Sequence, residues 1–225
     1  MLLHIENLLD AATVERMHAR LDGADWIDGR ETVGPQGAQV KRNRQLADTS
    51  PLRAELGREV LAACARHPAF HGATLPVKIL PPRFNRYTDG GAYGAHIDGA
   101  VMALADGSQL RSDIACTVFL ADPGNYDGGE LIVDDTYGEH EVKLPAGDAI
   151  VYPAGSLHRV APVTRGARVA AFFWIQSLVR DEAQRGTLLQ LDTAIRQLKG
   201  SGADAGAVRQ LTGVYHNLLR QWADT

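Results

Sequence analysis

Residues 86–98 read RYTDGGAYGAHID and end on a pair of potential metal ligands. In an extended strand, side chains two residues apart point to the same face. His96 and Asp98 can therefore reach one ion from one side of a predicted strand, while Ile97 points away. Because a His-x-Asp tripeptide is common by chance, its interpretation as a metal site depends on the residues around it.

A third ligand is available in residues 152–160, YPAGSLHRV, at the start of another strand region. Two histidines and one carboxylate on one face of a metal leave coordination positions open, an arrangement typical of iron(II) oxygenases. We predict that His96, Asp98 and His158 bind iron(II). The other six histidines have no evident partner in the sequence, and we expect them to be structural or exposed: His4, His18, His67, His71, His140 and His216.

Arg168 follows His158 by ten residues and leads into the apolar run 169–173. An arginine at the start of a buried strand needs an anionic partner, because an unpaired buried charge is very costly. A guanidinium can hold a carboxylate by two parallel hydrogen bonds. We therefore predict that Arg168 holds the distal carboxylate of 2-oxoglutarate. The alternative is an ordinary arginine at a strand edge, like Arg165.

Two glycine-rich turns accompany these residues. Tyr87 and Tyr93 flank the first, and a phenol at a metal pocket supplies packing and one hydrogen bond. Packing in the core is the alternative for both tyrosines. The second turn is Asp127-Gly128-Gly129-Glu130-Leu131, in which a glycine pair permits a tight turn or a close approach of the backbone.

The region around these motifs predicts an all-β unit. From about residue 75 to 179, short apolar runs alternate with Gly, Pro and Asp turns, a pattern typical of a sandwich or barrel. The runs are 77–80, 114–120, 131–133, 149–152 and 169–175.

Helical patterns lie on both sides of this unit. Asp10 can cap a helix with an apolar stripe at Val14, Met17 and Leu21. Ser50-Pro51 predicts the start of a second helix, which His67-Pro68 ends. Its apolar stripe contains Leu52, Leu56, Val60 and Cys64.

After Arg180 the spacing predicts a helical hairpin interrupted by residues 200–202. Its apolar stripes are Leu188, Leu191, Ile195 and Leu198, and then Leu211, Val214, Leu218 and Trp222. About 40 residues are too few to hold a core alone, so the hairpin should dock on the barrel, on a second subunit or on both. We divide the chain into supporting elements (1–74), a catalytic core (75–180) and a helical extension (181–225).

Composition excludes several classes of partner. The chain has 225 residues, 45% hydrophobic residues and a net charge of -4, so we expect no nucleic-acid partner. No apolar run is long enough for a membrane span, and the first residues lack a signal-peptide pattern. Cys64 and Cys116 are far apart and are expected to be buried, reduced thiols. These features predict a cytoplasmic protein.

The order of these motifs resembles the prolyl-4-hydroxylase-like iron/2-oxoglutarate dioxygenases, and more narrowly the bacterial PKHD-type hydroxylases. The residues that carry the resemblance are Tyr87, Tyr93, His96-x-Asp98, Gly128-Gly129-Glu130-Leu131, Gly147-Asp148-Ala149, Ser156-x-His158-x-Val160 and Arg168. The resemblance implies a mainly β double-stranded β-helix, or jelly roll, with a helical C-terminal extension. It also implies iron(II) at His96, Asp98 and His158, and 2-oxoglutarate at Arg168.

The family is further associated with iron uptake and with L-ascorbate as the reductant that keeps iron ferrous. Residues 40–46, VKRNRQL, are similar to a family segment, which makes Asn43 and Arg44 candidate pocket residues. A contact with an acidic substrate is one interpretation of Lys41, Arg42 and Arg44, and a solvated run of charges is the other.

One position departs from the family pattern. Animal prolyl hydroxylases place a tyrosine on the strand after the ligand turn, where it helps to hold the distal carboxylate. The matching residue here is Phe119, which has no hydroxyl group. Thr117, two residues earlier on the same face, is the candidate substitute.

The resemblance implies an enzyme that couples oxidative decarboxylation of 2-oxoglutarate by dioxygen to hydroxylation of an unknown substrate. Two alternatives stay open at this point. The same ligands could hold zinc in a hydrolase, which would need a general base and would not need Arg168. The protein could also be a non-catalytic sensor that binds iron and 2-oxoglutarate and signals through its C-terminal helices.

Overall fold

The computed structural model describes residues 1–224 as two large antiparallel sheets with flanking helices. The strands are β1 Leu3–Ile5, β2 Trp26–Asp28, β3 Lys41–Arg42, β4 Arg44–Leu46, β5 Pro76–Ile79, β6 Arg83–Tyr87, β7 Ala92–His96, β8 Val101–Ala103, β9 Gln109–Arg111, β10 Ile114–Phe119, β11 Asp127–Gly128, β12 Leu131–Asp135, β13 Gly138–Val142, β14 Ala149–Pro153, β15 His158–Val160, β16 Val163–Arg165 and β17 Arg168–Ser177. The α-helices are α1 Ala11–Asp22, α2 Pro35–Ala38, α3 Pro51–Arg66, α4 Pro68–Thr74, α5 Glu182–Gly200 and α6 Ala205–Trp222.

The larger sheet has eight strands in the order β1-β14-β10-β17-β6-β4-β2, with β5 also paired to β17. Its inner strand β10 is buried along its whole length, which explains its largely apolar sequence. The smaller sheet has five strands in the order β13-β12-β15-β7-β3. Two short ribbons, β11-β16 and β8-β9, complete the pairing.

One apolar core joins the two sheets. It contains Val118 and Phe173 from the larger sheet together with Leu131, Val133 and Val160 from the smaller sheet. Burial of such side chains is the main favourable contribution to folding. The prediction of a mainly β jelly roll with flanking helices is confirmed.

The N-terminal helices begin where the sequence predicts. The side chain of Asp10 accepts a hydrogen bond from the Thr13 backbone N–H at the start of α1, and the side chain of Ser50 does the same for Arg53 at the start of α3. His67-Pro68 ends α3 but also begins α4, because proline suits the first turn of a helix. The sequence analysis missed this second helix.

The C-terminal helices α5 and α6 form the predicted hairpin and pack beside the end of β17. Leu188 of α5 is buried with Leu75 and Val179, and the second helix covers this cluster. The predicted stripe on α6 was wrong at Val214, which is 48% exposed. The side chains of α6 that pack on the cluster are Tyr215, Leu218, Leu219 and Trp222.

Two expectations concern the rest of the chain. Cys64 and Cys116 are both free and buried, and burial raises the pKa of the Cys64 thiol to about 12. Within residues 1–224, no helix has the length and apolar character needed to cross a bilayer.

Candidate metal centre and its cavity

His96, Asp98 and His158 meet between two neighbouring strands of the smaller sheet. His96 ends β7, His158 begins β15, and the register places the two histidines directly opposite each other. Nε2 of His96 lies 4.0 Å from Oδ1 of Asp98, and Nε2 of His158 lies 3.8 Å from Oδ2. Ile97 and Asp98 lie just beyond the end of β7 rather than on the strand, and Ile97 is 60% exposed, so it points away from the ligands as predicted. Within residues 1–224, this is the single group of three His, Cys, Asp or Glu residues with ligand atoms within 4.8 Å of one another.

Backbone carbonyls fix both imidazole rings. Nδ1 of His96 lies 2.8 Å from the Gly94 oxygen, and Nδ1 of His158 lies 3.0 Å from the Ser156 oxygen. A carbonyl can only accept, so each Nδ1 carries the proton and each Nε2 keeps a free lone pair. Metal-binding histidines are commonly oriented in this way. Both rings are therefore prepared to bind a metal through Nε2.

The charges of this group also suit a cation. Burial, followed by the nearby His158, lowers the pKa of His96 to about 4, so this imidazole is neutral at ordinary pH. Burial raises the pKa of Asp98 above its ordinary value. A bound divalent cation would supply the positive charge that a buried carboxylate needs. Two neutral imidazoles and one carboxylate are the donor set of non-haem iron(II) sites.

Aromatic side chains surround the ligands. The Tyr93 ring stacks on His96 with centroids 3.7 Å apart, and the Tyr152 ring meets His158 edge-on at 5.2 Å. Trp174 lies near Asp98, and its Nε1 has no hydrogen-bond partner within residues 1–224. These rings restrict the imidazoles and exclude water from one side of the centre.

A cavity of about 500 Å³ opens onto the three ligands. Its volume is in the range of small-molecule sites. Five other predicted site residues line it, namely Arg168, Tyr87, Thr117, Tyr93 and Asn43. Arg44 is exposed and lies outside this cavity, in a groove on the other side of its strand. The structure therefore brings together every predicted site residue except Arg44.

Arg168 is buried without a partner. It is 1% exposed, and its guanidinium lies 5.4 Å from the Tyr87 ring centroid and 5.3 Å from that of Phe119. Within the described chain it forms no ion pair, and its Nε has no hydrogen-bond partner. Arg165, the example of an ordinary strand-edge arginine, has different surroundings from Arg168: it is exposed and forms an ion pair with Asp127 at 2.7 Å. Arg168 is thus a buried cation that faces a cavity, where an anionic ligand would complete it.

The neighbours of Arg168 come from the larger sheet and a turn. Tyr87 is its direct partner in the β6–β17 register, and burial raises the pKa of the Tyr87 phenol. Thr117 lines the same cavity and lies close to the Tyr152 phenol. Gly129, at a φ of +72°, approaches so closely that an added Cβ would meet the Arg168 Cδ at 3.1 Å. The glycine pair therefore serves as the close backbone approach that its sequence suggested.

Among the residues of the cavity wall, the sequence analysis did not assign Tyr152 or Trp174 to the site, and it left Lys41 between a substrate contact and a solvated charge. Lys41 is 5% exposed, so the interpretation of residues 41–44 as a solvated charge run was wrong for this residue. The alternation of Lys41, Asn43 and Gln45 with Arg42 and Arg44 was the available signal. Tyr152 and Trp174 gave no such signal, because each lies in an apolar run typical of any buried strand.

Three of the remaining histidines have carboxylate partners that the sequence did not reveal. His4 bonds Asp148 at 2.7 Å, and His140 bonds Asp135 at 2.8 Å. His18 lies 3.2 Å from its helical neighbour Asp22. None of the three belongs to a cluster of three potential metal ligands within residues 1–224.

Solved structures with a similar fold are oxygenases. A prolyl-4-hydroxylase from Pseudomonas putida aligns over 78% of this chain and 92% of its own, with a TM-score of 0.52 and 21% identity. HygX from Streptomyces hygroscopicus, solved with nickel, 2-oxoglutarate and hygromycin B, aligns over 79% and 84%, with a TM-score of 0.53 and 17% identity. At these identities the likeness establishes the fold alone.

Sequence comparisons establish the family. Residues 82–176 match the 2OG-Fe(II) oxygenase superfamily, and residues 182–224 match the PKHD-type hydroxylase C-terminal domain. A PKHD-type hydroxylase of Stenotrophomonas maltophilia (strain R551-3) is 65% identical over 224 residues, with both chains fully covered. Another, from Xylella fastidiosa (strain M23), is 61% identical over 230 residues, again with full coverage of both. The chain belongs to the PKHD-type hydroxylases, a family of iron(II)- and 2-oxoglutarate-dependent oxygenases.

Proposed function

We propose that this enzyme hydroxylates its substrate in the cavity above His96, Asp98 and His158, with iron(II) on these three side chains and 2-oxoglutarate held by Arg168. The observation that carries this assignment is a buried guanidinium without an acidic partner, in the same cavity as two imidazoles and a carboxylate. When bound, iron(II) would activate dioxygen, and 2-oxoglutarate, as it is oxidised to succinate and carbon dioxide, would supply two of the four electrons that dioxygen takes up, the other two coming from the hydroxylated C–H bond.

The chain's own residues position and enclose the reactants. The Gly94 and Ser156 carbonyls hold both imidazoles with Nε2 toward the metal. Arg168 is proposed to bind the far carboxylate through its terminal nitrogens, and Tyr87 and Phe119 keep the guanidinium between two rings. Because Phe119 lacks a hydroxyl, we propose that Thr117 or the Tyr87 phenol supplies the second contact to that carboxylate. The surrounding aromatic rings exclude water from the reacting atoms.

Neither alternative is favoured. A hydrolase would need a general base beside the metal, and Asp98 is the one carboxylate that lines the cavity within residues 1–224. It would also have no use for a buried arginine there. A non-catalytic sensor would not turn over 2-oxoglutarate, so formation of succinate separates it from an enzyme.

The test is an anaerobic titration of the iron-loaded protein with 2-oxoglutarate, followed by admission of oxygen and measurement of succinate. We expect a change in visible absorption that saturates with 2-oxoglutarate, and then succinate formation. Arg165→Ala serves as the control for Arg168→Ala, because Arg165 is exposed and ion-paired. Equal 2-oxoglutarate affinity in the two variants would contradict the assignment.

Several wider features remain proposals that rest on the family. We propose a link to iron uptake, L-ascorbate as the reductant and a cytoplasmic location. We keep the division into supporting elements 1–74, core 75–180 and extension 181–225: the first part adds strands β1 to β4 at the edges of the two sheets, the second contains their remaining strands, and the third is the hairpin.

We also propose that the C-terminal hairpin contributes to a homo-oligomer. Its second helix leaves Val214 exposed on an otherwise polar outer face. The molar mass in solution, measured by light scattering over a wide concentration range, tests this proposal. A monomeric mass at every concentration would contradict it.

A further inference from the structure

The segment from Lys41 to Leu46 crosses from one sheet to the other and forms a wall of the cavity. Lys41 on β3 pairs with Tyr93 of the smaller sheet, and Arg44 on β4 pairs with Arg86 of the larger sheet. Side chains along the crossing alternate between buried and exposed. Lys41 and Asn43 line the metal cavity and also border the outer groove on the other side, where Arg42, Arg44 and Arg86 lie.

Lys41 is a second buried cation without a counter-ion. Its Nζ donates to the hydroxyl of Thr32 at 3.1 Å and to Oε1 of Gln45, both of which are neutral acceptors. It forms no ion pair with any carboxylate of residues 1–224, although an ammonium has three donors. Burial lowers the pKa of Lys41 to about 8, which reflects the cost of this unpaired charge.

The position of Lys41 differs from that of Arg168. Its Nζ lies 5.2 Å from the centroid of Tyr93, and that ring stacks on the proposed ligand His96. Arg168 belongs to the larger sheet and contacts other rings. One molecule of 2-oxoglutarate, bound through its distal carboxylate, would give Arg168 an anionic partner. Lys41 would still have no counter-ion.

A polar group beside Lys41 is also unsatisfied. Neither Oδ1 nor Nδ2 of the buried Asn43 forms a hydrogen bond of normal geometry within the described chain, although the amide lies close to the Tyr87 phenol. Buried amide atoms without partners are rare in native proteins and indicate a missing ligand or water. The exposed arginines of the outer groove add positive potential at the same wall, which would attract an anion.

We propose that Lys41, with Asn43, binds an anionic group of the substrate, either a carboxylate or a phosphate, beside the C–H bond that is hydroxylated. This inference rests on the proposed function and names a substrate class for that site. It makes Lys41 a specificity-determining residue that contacts the substrate, whereas Arg168 contacts the co-substrate.

The test is a binding assay on the anaerobic, iron-loaded protein with saturating 2-oxoglutarate. The probes are N-acetyl amino acids as free carboxylates, the same compounds as carboxamides, and phosphate monoesters of small alcohols. Ligands retained by the protein are quantified by mass spectrometry. We expect the wild type to retain members of at least one anionic set ten-fold or more above the carboxamides, and the set retained identifies the anion.

Lys41→Met should abolish this preference, Lys41→Arg should keep part of it, and the matched control Lys78→Met should keep all of it. Lys78 is suitable because its Nζ is bonded to the Gln109 carbonyl on the exterior, outside both cavities. The proposal is overturned if the wild type retains no anion above its carboxamide, or if Lys41→Met retains the same anions as the wild type. The wild-type arm decides the question even if Lys41→Met does not fold.

Succinate formation by the aerobic wild type separates the two proposals. Absence of succinate would contradict the proposed function itself. Succinate formation without a preference for anions would contradict only the role of Lys41.

Discussion

Two buried arginines of this molecule have opposite surroundings. Arg168 in the cavity is 1% exposed and has no acidic partner, while Arg185 in α5 is 3% exposed and donates through Nη1 to the Val179 and Arg180 carbonyls at 2.8 and 2.7 Å. The chain itself supplies two carbonyl acceptors to Nη1 of the arginine that anchors the hairpin, although its Nε, like that of Arg168, has no partner within residues 1–224. Arg168 in the cavity has no such acceptor in the described chain and can pair with a bound anion. The difference separates residues that stabilise the fold from residues that bind reactants.

The largest expected effect is at the metal. Asp98→Ala removes the single anionic ligand of the proposed site and leaves two neutral imidazoles, so iron occupancy should drop and succinate formation should fall to background. Asp98→Glu keeps the charge but moves the oxygen outward by one methylene, and it should also be impaired. Iron per chain and succinate are measured side by side.

His140→Ala is the control for these variants, since its ring bonds Asp135 on the surface. It should keep both iron and turnover. Wild-type iron occupancy and turnover in Asp98→Ala, with loss of both in His140→Ala, would show that the proposed ligand set is wrong.

The next effect concerns the co-substrate. Arg168→Ala should spare iron binding and weaken 2-oxoglutarate by about 3–5 kcal/mol, because removal of one partner from a buried charge pair leaves the other uncompensated. Without 2-oxoglutarate its stability should stay close to that of the wild type, since the lost charge had no partner. Calorimetric titration of the iron-loaded variant measures this, and unchanged affinity would refute it.

Arg185→Ala should show the reverse pattern. It leaves the Val179 and Arg180 carbonyls without their donor, which should cost roughly 2–3 kcal/mol of unfolding free energy. The affinity for 2-oxoglutarate should not change. Denaturant unfolding monitored by circular dichroism measures the loss, and a variant as stable as the wild type would contradict a structural role for Arg185.

A smaller effect is expected from a glycine behind Arg168. Gly129 and Gly202 have nearly the same φ, +72° and +71°, but only Gly129 has atoms within 4 Å of an added Cβ. Gly202→Ala, in the hairpin turn, should cost about 1–2 kcal/mol from backbone strain alone. Gly129→Ala should cost more and also weaken 2-oxoglutarate, because the new methyl group displaces the Arg168 side chain. If Gly129→Ala and Gly202→Ala lost the same unfolding free energy and bound 2-oxoglutarate with the same affinity, this role of Gly129 would be contradicted.

Local patterns made much of the site predictable. The prediction from His96-x-Asp98 needs only strand alternation, and Arg168 is marked by its place before an apolar run. The central strands and the caps at Asp10 and Ser50 are likewise encoded within a few residues.

Features that depend on pairing across the sheets were not predictable in this way. Lys41 is buried because β3 pairs with β7, and Trp174 reaches the cavity because of the register of β17. The face of α6 was misassigned at Val214 because its partners, Leu75 and Val179, are distant in sequence. Arg44 was expected in the pocket, but it lies on the opposite side of its strand from the buried Asn43 and Gln45.

The central claim is that Arg168, which has no partner in the described chain, binds 2-oxoglutarate, whereas Arg185 stabilises the fold and does not bind it. The most direct test is the gain in unfolding free energy when 2-oxoglutarate is added to the iron-loaded protein under anaerobic conditions. A ligand at 100 times its dissociation constant stabilises the native state by about 2.7 kcal/mol. The wild type and Arg185→Ala should gain this amount equally, and Arg168→Ala should gain almost nothing at the same concentration. A full gain in Arg168→Ala, or its loss in Arg185→Ala, would contradict the account.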